Sequence, residues 1–303
     1  MLLNILFIVV GIALVLWGAD RLTDGAVAVA EKMKMPQIVI GLTIVAMGTS
    51  MPEFCVSFIS ALKGTSDLAV GNIVGSNIFN ALLIVGVSAL VAPMTIMETT
   101  VRKDIPFALV ASALLLIMCL DGDISRLDAG ILFVMFLIFM YITLRGAKAQ
   151  GTDLEEKEKK PMATWLSVVW LLVGLVCLIG GSNLFVDGAT AVATKLGVSE
   201  AVIGLTIVAG GTSLPELATS VVSARKGNSG IAIGNVLGSN VFNILAILGL
   251  TGVISPMTLK GITMTDLSMM VISIILIWLF SFTKYKIERW EGAILTAVFV
   301  GYI

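Results

Sequence analysis

The 303-residue sequence contains no histidine. That absence removes imidazole metal sites, Ser-His triads and histidine proton relays from consideration. Charge is scarce too: Asp, Glu, Lys and Arg make up 13% of the chain, about half the share of a soluble domain. With 58% hydrophobic residues and a mean hydropathy of +1.05, this scarcity reads as an integral membrane protein. The net charge is −1, and the charges are sorted by loop rather than pooled, so no basic face is offered to nucleic acid. No dinucleotide fingerprint is present. The three cysteines, Cys55, Cys119 and Cys177, lie in apolar runs without CxxC spacing, as small membrane-embedded hydrophobes do, rather than as disulfide partners or metal ligands.

What is abundant is apolar sequence of spanning length. Such segments fall near 2–25, 37–62, 68–92, 104–120 and 127–145, and again near 163–190, 200–224, 230–255, 264–282 and 289–303. The first, MLLNILFIVVGIALVLWGAD, lacks a basic stretch ahead of its apolar run, and a similar segment, WLLVGLVCLIGGSN, recurs in mid-chain. It is expected to be a first transmembrane helix, not a signal peptide. The expected fold is an all-α membrane protein of ten transmembrane helices. Residues 1–145 form a first five-helix unit, 146–162 a solvated mixed-charge linker too short for a regulatory domain, and 163–303 a second five-helix unit.

The two units are related. An offset of 163 aligns Gly18 through Asn80 with Gly181 through Asn243 without a gap, and roughly 35 of the 63 pairs are identical. VIGLTIVA occurs in both copies, followed by GTSMPE or GTSLPE, and GNIVGSNIFN or GNVLGSNVFN closes each. Lys and Arg set the orientation. With the N-terminus outside, the inner loops hold fourteen: Lys32, Lys34, Arg102, Lys103, Arg145, Lys148, Lys157, Lys159, Lys160, Arg225, Lys226, Lys284, Lys286 and Arg289. The outer loops hold four, Lys63, Arg126, Lys195 and Lys260. Both termini are therefore expected outside and the linker in the cytoplasm. Five spans per unit is an odd number, so the copies enter from opposite faces, as in secondary transporters with a midplane site.

Of the twenty acidic residues, only Glu53 and Glu216 fall near a span's centre. A carboxylate there costs several kcal/mol unless it meets a cation, a proton or a cavity. Each follows a proline. Pro52 has no N–H for the Gly48 carbonyl and Pro215 none for Gly211, so both helices are expected to break around GTS. The carbonyls of Ala46, Thr49, Ala209 and Thr212 can then turn toward a cavity or an ion. Carbonyls, hydroxyls and carboxylates form a hard-oxygen set suited to Ca²⁺ or Na⁺. In the next span Asn72, Ser76 and Asn80 share one helical face, repeated by Asn235, Ser239 and Asn243. Gly71 and Gly75, like Gly234 and Gly238, have the GxxxG spacing of close helix approach. Any one of these features alone commonly serves packing or backbone satisfaction. Their coincidence around a carboxylate, twice at one offset, points to an ion site. Asp24 and Asp187, both in DGA near span ends, are read as capping or packing residues.

At these residues the sequence resembles the cation/Ca²⁺ exchanger superfamily, and within it the prokaryotic sodium/calcium exchangers. GTSMPE and GTSLPE match the family's alpha-repeat cores, together with the two GN-x-x-GSN-x-FN motifs, and the likeness covers essentially the whole chain. The resemblance implies ten helices in inverted five-helix repeats with broken second and seventh helices. It implies that Glu53 and Glu216 hold Ca²⁺ with the carbonyls of Thr49 and Thr212. One Na⁺ position, facing the cytoplasm, would use the Ala46 carbonyl, Thr49, Ser50, Glu53 and Ser76. Its counterpart, facing outside, would use the Ala209 carbonyl, Thr212, Ser213, Glu216 and Ser239, with Asn80 and Asn243 flanking the middle. Potassium-dependent relatives carry Asp at the position of Asn243, which argues for potassium independence here. The expected activity is Na⁺/Ca²⁺ antiport by alternating access in a cell membrane, with about three Na⁺ per Ca²⁺, no cofactor and no required protein partner. An H⁺/Ca²⁺ antiporter using the same glutamates is the alternative, a cation channel a more distant one. An intramembrane hydrolase lacks a general base.

Overall fold

The computed structural model describes residues 1–149, 162–198, 207, 209–259 and 261–303. Apolar side chains keep the chain in lipid, and there each backbone N–H and C=O must find its partner within the protein, so the segments form helices. In order these are α1 (Leu2–Met33), α2 (Gln37–Thr49), α3 (Met51–Leu62), α4 (Ser66–Val91), α5 (Thr100–Asp121), α6 (Arg126–Ala149), α7 (Thr164–Lys195), α8 (Ala209–Thr212), α9 (Leu214–Arg225), α10 (Ser229–Ile254), α11 (Met264–Ser281) and α12 (Arg289–Tyr302). Among the described residues seven are long and apolar enough to cross a membrane. An eighth span results if α2 and α3, bent by 49° at Ser50, are one broken helix. Of the ten expected spans, the one near 200–224 lies partly outside the described residues, and α12 has only 14 residues. The protein is a mostly helical, multi-pass integral membrane protein.

α10 is the centre of the bundle: its most apolar 18-residue window is entirely buried, whereas the windows of α1 and α6 are mostly exposed and turn Leu6, Val9, Val134 and Leu137 outward. Its glycines set how closely its neighbours approach. A Cβ on Gly234 would lie 2.6 Å from the Ile38 carbonyl oxygen, and one on Gly238 2.6 Å from that of Leu42, so α10 and α2 touch backbone to backbone.

α1 and α7, both 32 residues long, run side by side. Gly11 packs on Gly181, Gly18 on Gly174 and Gly188 on Asn4, each with room for no Cβ. The register falls along α7 as it rises along α1, so the pair is antiparallel. Two polar links tie it to α9. The hydroxyls of Thr23 and Ser223 lie 3.0 Å apart in a buried position. Lys226, just past α9, places Nζ 2.6 Å from Asp20 Oδ1 and 2.7 Å from Asp24 Oδ1. Arg21 pairs with Asp20 and stacks over the Trp170 ring on α7. Asp24 is thus an ion-pair partner between helices, while Asp187 is exposed. At the other end of this seam the packing loosens around an apolar cavity of about 290 Å³, lined by Ile12, Val15, Phe185, Leu214 and Leu217.

Two short ribbons extend the internal relationship beyond the stretch aligned by sequence. Strand β1 (Met94–Thr95) pairs with β4 (Lys286–Ile287), and β2 (Asp123–Ile124) pairs with β3 (Met257–Thr258), both antiparallel. At the offset of 163, β1 corresponds to β3 and β2 to β4. Met94 faces Ile287 as Met257 faces Ile124, so one pairing is made twice with the halves exchanged.

Candidate ion-binding site

Both breaks have the same form. α2 ends at Thr49, Ser50 takes φ −81° and ψ 9°, and α3 starts at Met51. Likewise α8 ends at Thr212, Ser213 takes φ −89° and ψ 6°, and α9 starts at Leu214. Each proline falls in the first turn of the new helix, where its missing N–H is harmless. One expectation needs correction: the Ala46 carbonyl is not released, because it accepts the Ser50 N–H at 3.0 Å and the Thr49 hydroxyl at 3.3 Å. Proline deletes only the donor four residues after Gly48 and Gly211, and Ser50 still has its own. The orphaned Gly211 carbonyl is taken up by the Ser182 hydroxyl on α7, a group that sequence reasoning did not single out. Its counterpart in the first half is Ala19, which cannot donate. Ser182→Ala should lower stability by about 1 kcal/mol, an ordinary value for one buried interhelical hydrogen bond. An unchanged melting temperature in detergent would refute that link.

Glu53 and Glu216 are each 1% exposed. Ser213 Oγ donates to Glu53 Oε1 at 3.0 Å, and Ser50 Oγ donates to Glu216 Oε1 at 2.9 Å, so each carboxylate is held by the other half of the chain. The Thr212 hydroxyl also lies against Glu53, and that of Thr49 against Glu216; the two carboxylates are close enough to repel one another. Ser213 reaches Ser76 as well, at 3.3 Å. Asn72 and Asn235, which the helical pattern grouped with the site serines, hold the frame. Asn72 donates to the Glu53 carbonyl at 3.2 Å and to Ser57 at 2.9 Å; Asn235 donates to the Glu216 carbonyl at 3.2 Å and to Ser220 at 3.0 Å.

Among the described residues, five site oxygens are buried without a partner: Glu53 Oε2, Glu216 Oε2, Asn80 Oδ1, Asn243 Oδ1 and Ser239 Oγ. Leaving buried acceptors unsatisfied is costly, and here all five lie on α3, α4, α9 and α10, which the bonds of Ser50, Ser213, Asn72 and Asn235 bring together. Asn80 and Asn243 sit in π-helical turns, Phe79–Ile84 and Phe242–Leu248, a local widening that favours functional positions and that hydrophobic periodicity does not reveal. Ala209 is placed at the start of α8. Among the described residues no three His, Cys, Asp or Glu cluster as a metal site. Two carboxylates among hydroxyls and amides instead form a hard-oxygen set.

A cavity of about 450 Å³ leads to Ser76, lined by Gly71, Asn72, Gly75, Phe79 and Tyr302 among others. Here the two GxxxG motifs part company. Gly234 and Gly238 make the expected close approach, while Gly75 is exposed on the cavity wall. Identical spacing therefore serves packing in one half and access in the other.

Two helix interruptions, each followed by a buried carboxylate that the other half of the chain holds, form a candidate cation site. The sodium/calcium exchanger protein family matches residues 3–145 and 166–303, and the chain belongs to it. It is a transporter and not an enzyme. Among its relatives is the putative antiporter CaxA of Alkalimonas amylolytica, 39% identical over 312 residues, covering 100% of this chain and 98% of that protein. The sodium/calcium exchanger MaX1 of Methanosarcina acetivorans is 33% identical over 341 residues, covering 99% and 97%. The solved structure of the sodium-calcium exchanger NCX_Mj, soaked with zero Na⁺ and Ca²⁺, superposes with a TM-score of 0.88 at 30% identity, covering 99% and 97%.

Proposed function

We propose that this protein exchanges Na⁺ for Ca²⁺ by alternating access, with Glu53 and Glu216 as the shared charge of the site. The observation that carries the reading is the reciprocal pair of bonds from Ser213 to Glu53 and from Ser50 to Glu216, each of which leaves one carboxylate oxygen open. One Ca²⁺ cancels both charges. Two Na⁺ do the same, and a third held by neutral oxygens makes exchange electrogenic. An empty site with two bare carboxylates resists crossing, which couples the fluxes. The ligands are Glu53, Glu216, Thr49, Thr212, Ser50, Ser213, Ser76, Ser239, Asn80 and Asn243, with the carbonyls of Thr49 and Thr212. The Ala209 carbonyl joins its Na⁺ position, whereas the Ala46 carbonyl is held by the Ser50 N–H and the Thr49 hydroxyl. Asn243 in place of a carboxylate leaves no third charge for K⁺. Calcium binding by the purified protein, competed by Na⁺ and not by K⁺, tests this reading; binding indifferent to Na⁺ contradicts it and favours the proton-coupled alternative.

The architecture we infer is ten helices in two inverted repeats, residues 1–145 and 163–303, joined by a cytoplasmic linker, in a cell membrane with both termini outside. Support comes from the antiparallel pairing of α1 with α7, equivalent helices of the two halves, and from the exchanged ribbons. In this orientation the cavity at Ser76 opens outward, opposite to the cytoplasmic side expected for the Ser76 position, and the Lys226 clamp lies on the cytoplasmic side. The α1–α7 pair moves against the bundle, and the clamp must open for the site to face inward. Lys226→Met is expected to lower the outward-facing share, read as slower labelling of a Gly75→Cys probe by an impermeant maleimide. Unchanged labelling would show that the clamp has no part in access. Protonating a carboxylate removes the cation's partner, so exchange should fall as pH is lowered from alkaline to acid. Uptake that is flat over that range argues against the glutamates as the site charge.

A further inference from the structure

We propose that Asn77 and Asn240 are positioning residues that aim the amide oxygens of Asn80 and Asn243 at the transported cation, and that the two braces differ in stiffness. The proposal rests on the reading of Asn80 and Asn243 as cation ligands. An Asn side chain presents an oxygen at one end and an NH₂ at the other, and only the oxygen attracts a cation. Its neighbours decide which end faces the site. Asn80 Nδ2 donates to Asn240 Oδ1 at 3.1 Å, and Asn243 Nδ2 donates to Asn77 Oδ1 at 3.2 Å. Both bonds cross between α4 and α10 and correspond to one another at the offset of 163. Each spends the donor end of its amide and leaves Oδ1 buried and unpartnered. Turning Asn80 over would set oxygen against oxygen in its brace and point NH₂ at the cation, and turning Asn243 over does the same unless Asn77 turns with it.

The braces themselves are held unequally. Asn240 Nδ2 donates to the main-chain carbonyl of Asn77 at 3.3 Å, an acceptor that cannot turn. Flipping Asn240 would therefore set NH₂ against NH₂ at Asn80 and oxygen against oxygen at the Asn77 carbonyl. Among the described residues, Asn77 Nδ2 meets only the Met270 thioether, at 3.9 Å, and thioether sulfur is a weak acceptor. Flipping Asn77 gives up little. Position 80 must accordingly carry a donor, because Asn240 always shows it an oxygen. Position 243 can carry an amide or a carboxylate, because Asn77 can show it either an oxygen or an NH₂. Both braces lie inside the repeated GSN motif, so the device belongs to the site and not to general packing.

The test uses the full chain in proteoliposomes at alkaline pH, measuring Na⁺-driven ⁴⁵Ca²⁺ uptake against external Ca²⁺. Asn77→Leu and Asn240→Leu should each raise the half-saturating Ca²⁺ about tenfold while keeping the maximal rate, since one orienting hydrogen bond is lost. A role in folding alone would lower yield and maximal rate and leave half-saturation unmoved. Asn243→Asp should stay within about threefold of the parent, and Asn80→Asp should weaken Ca²⁺ at least about tenfold, by the same reckoning of one lost bond turned repulsive. This second pair decides the matter if Asn240→Leu yields no folded protein. Equal tolerance of Asp at 80 and 243, or normal half-saturation in both Leu variants, overturns the proposal. Glu53→Gln is run alongside. If it still transports, the site reading fails and the braces fall with it; if it is inactive while the Asn variants are normal, only the braces are refuted.

Discussion

Glu53→Gln and Glu216→Gln are each expected to cut Na⁺-driven Ca²⁺ uptake by at least about a hundredfold. Glutamine keeps the shape of the side chain and still offers an oxygen to Ser213 or Ser50, so the cross-brace survives and only charge is removed. Two unit charges 4 Å apart interact by about 4 kcal/mol at an effective dielectric of 20, and a divalent ion doubles that. A hundredfold loss needs about 2.8 kcal/mol, at about 1.4 kcal/mol per factor of ten, which is less than half of the divalent value. The same substitution removes a carboxylate that is buried beside a like charge. In ion-free buffer the variants should therefore melt at or above the temperature of the parent, while losing the Ca²⁺-dependent rise that ligand linkage gives it. Loss of transport with retained stability separates a site charge from a fold requirement. Near-parental uptake in either variant sinks the assignment.

The second large effect concerns two glycines that sequence alone treats as equivalent. Gly238→Val is expected to give no monodisperse protein, or one destabilised by about 3 kcal/mol or more, as overpacking into backbone does. A Cβ there would meet Leu42 O at 2.6 Å and Leu42 Cα and Ala46 Cβ at 2.7 Å, and α2 cannot retreat without moving the break that carries Glu53. Gly75→Val, at the matching position of the first half, should fold, because Gly75 faces the cavity beside Ser76. Its cost should appear as slower ion access from the outside. Size-exclusion profiles of the two variants give the answer; equal behaviour would contradict the division of packing and access between the halves.

The reason these positions look alike in sequence is that the repeat records ancestry of the fold, while the conformation breaks its symmetry. GTSMPE and GTSLPE made the helix breaks and the paired glutamates legible, since a proline and a carboxylate at membrane depth have few structural uses. The hydrogen-bond partners were not legible. That Ser50 serves Glu216 and Ser213 serves Glu53 depends on packing between halves, which local spacing does not encode. Proline releases only the carbonyl four residues back and not the whole preceding turn, so the Ala46 carbonyl stays bonded to the Ser50 N–H. Ser182 leaves no mark in the repeat, because its partner position holds Ala19. PMT at 93–95 and again at 256–258 did carry the signal for the ribbons. The π-helical turns at Asn80 and Asn243 left no mark in periodicity, because the surrounding residues are apolar on every face.

The most direct measurement is ⁴⁵Ca²⁺ uptake into proteoliposomes loaded with Na⁺, beside K⁺-loaded and acid-loaded vesicles, with the membrane potential set by valinomycin. The proposed exchange predicts uptake that requires internal Na⁺ and grows as the interior is made positive. Uptake driven by internal acid without Na⁺, or indifferent to both ions, would contradict it.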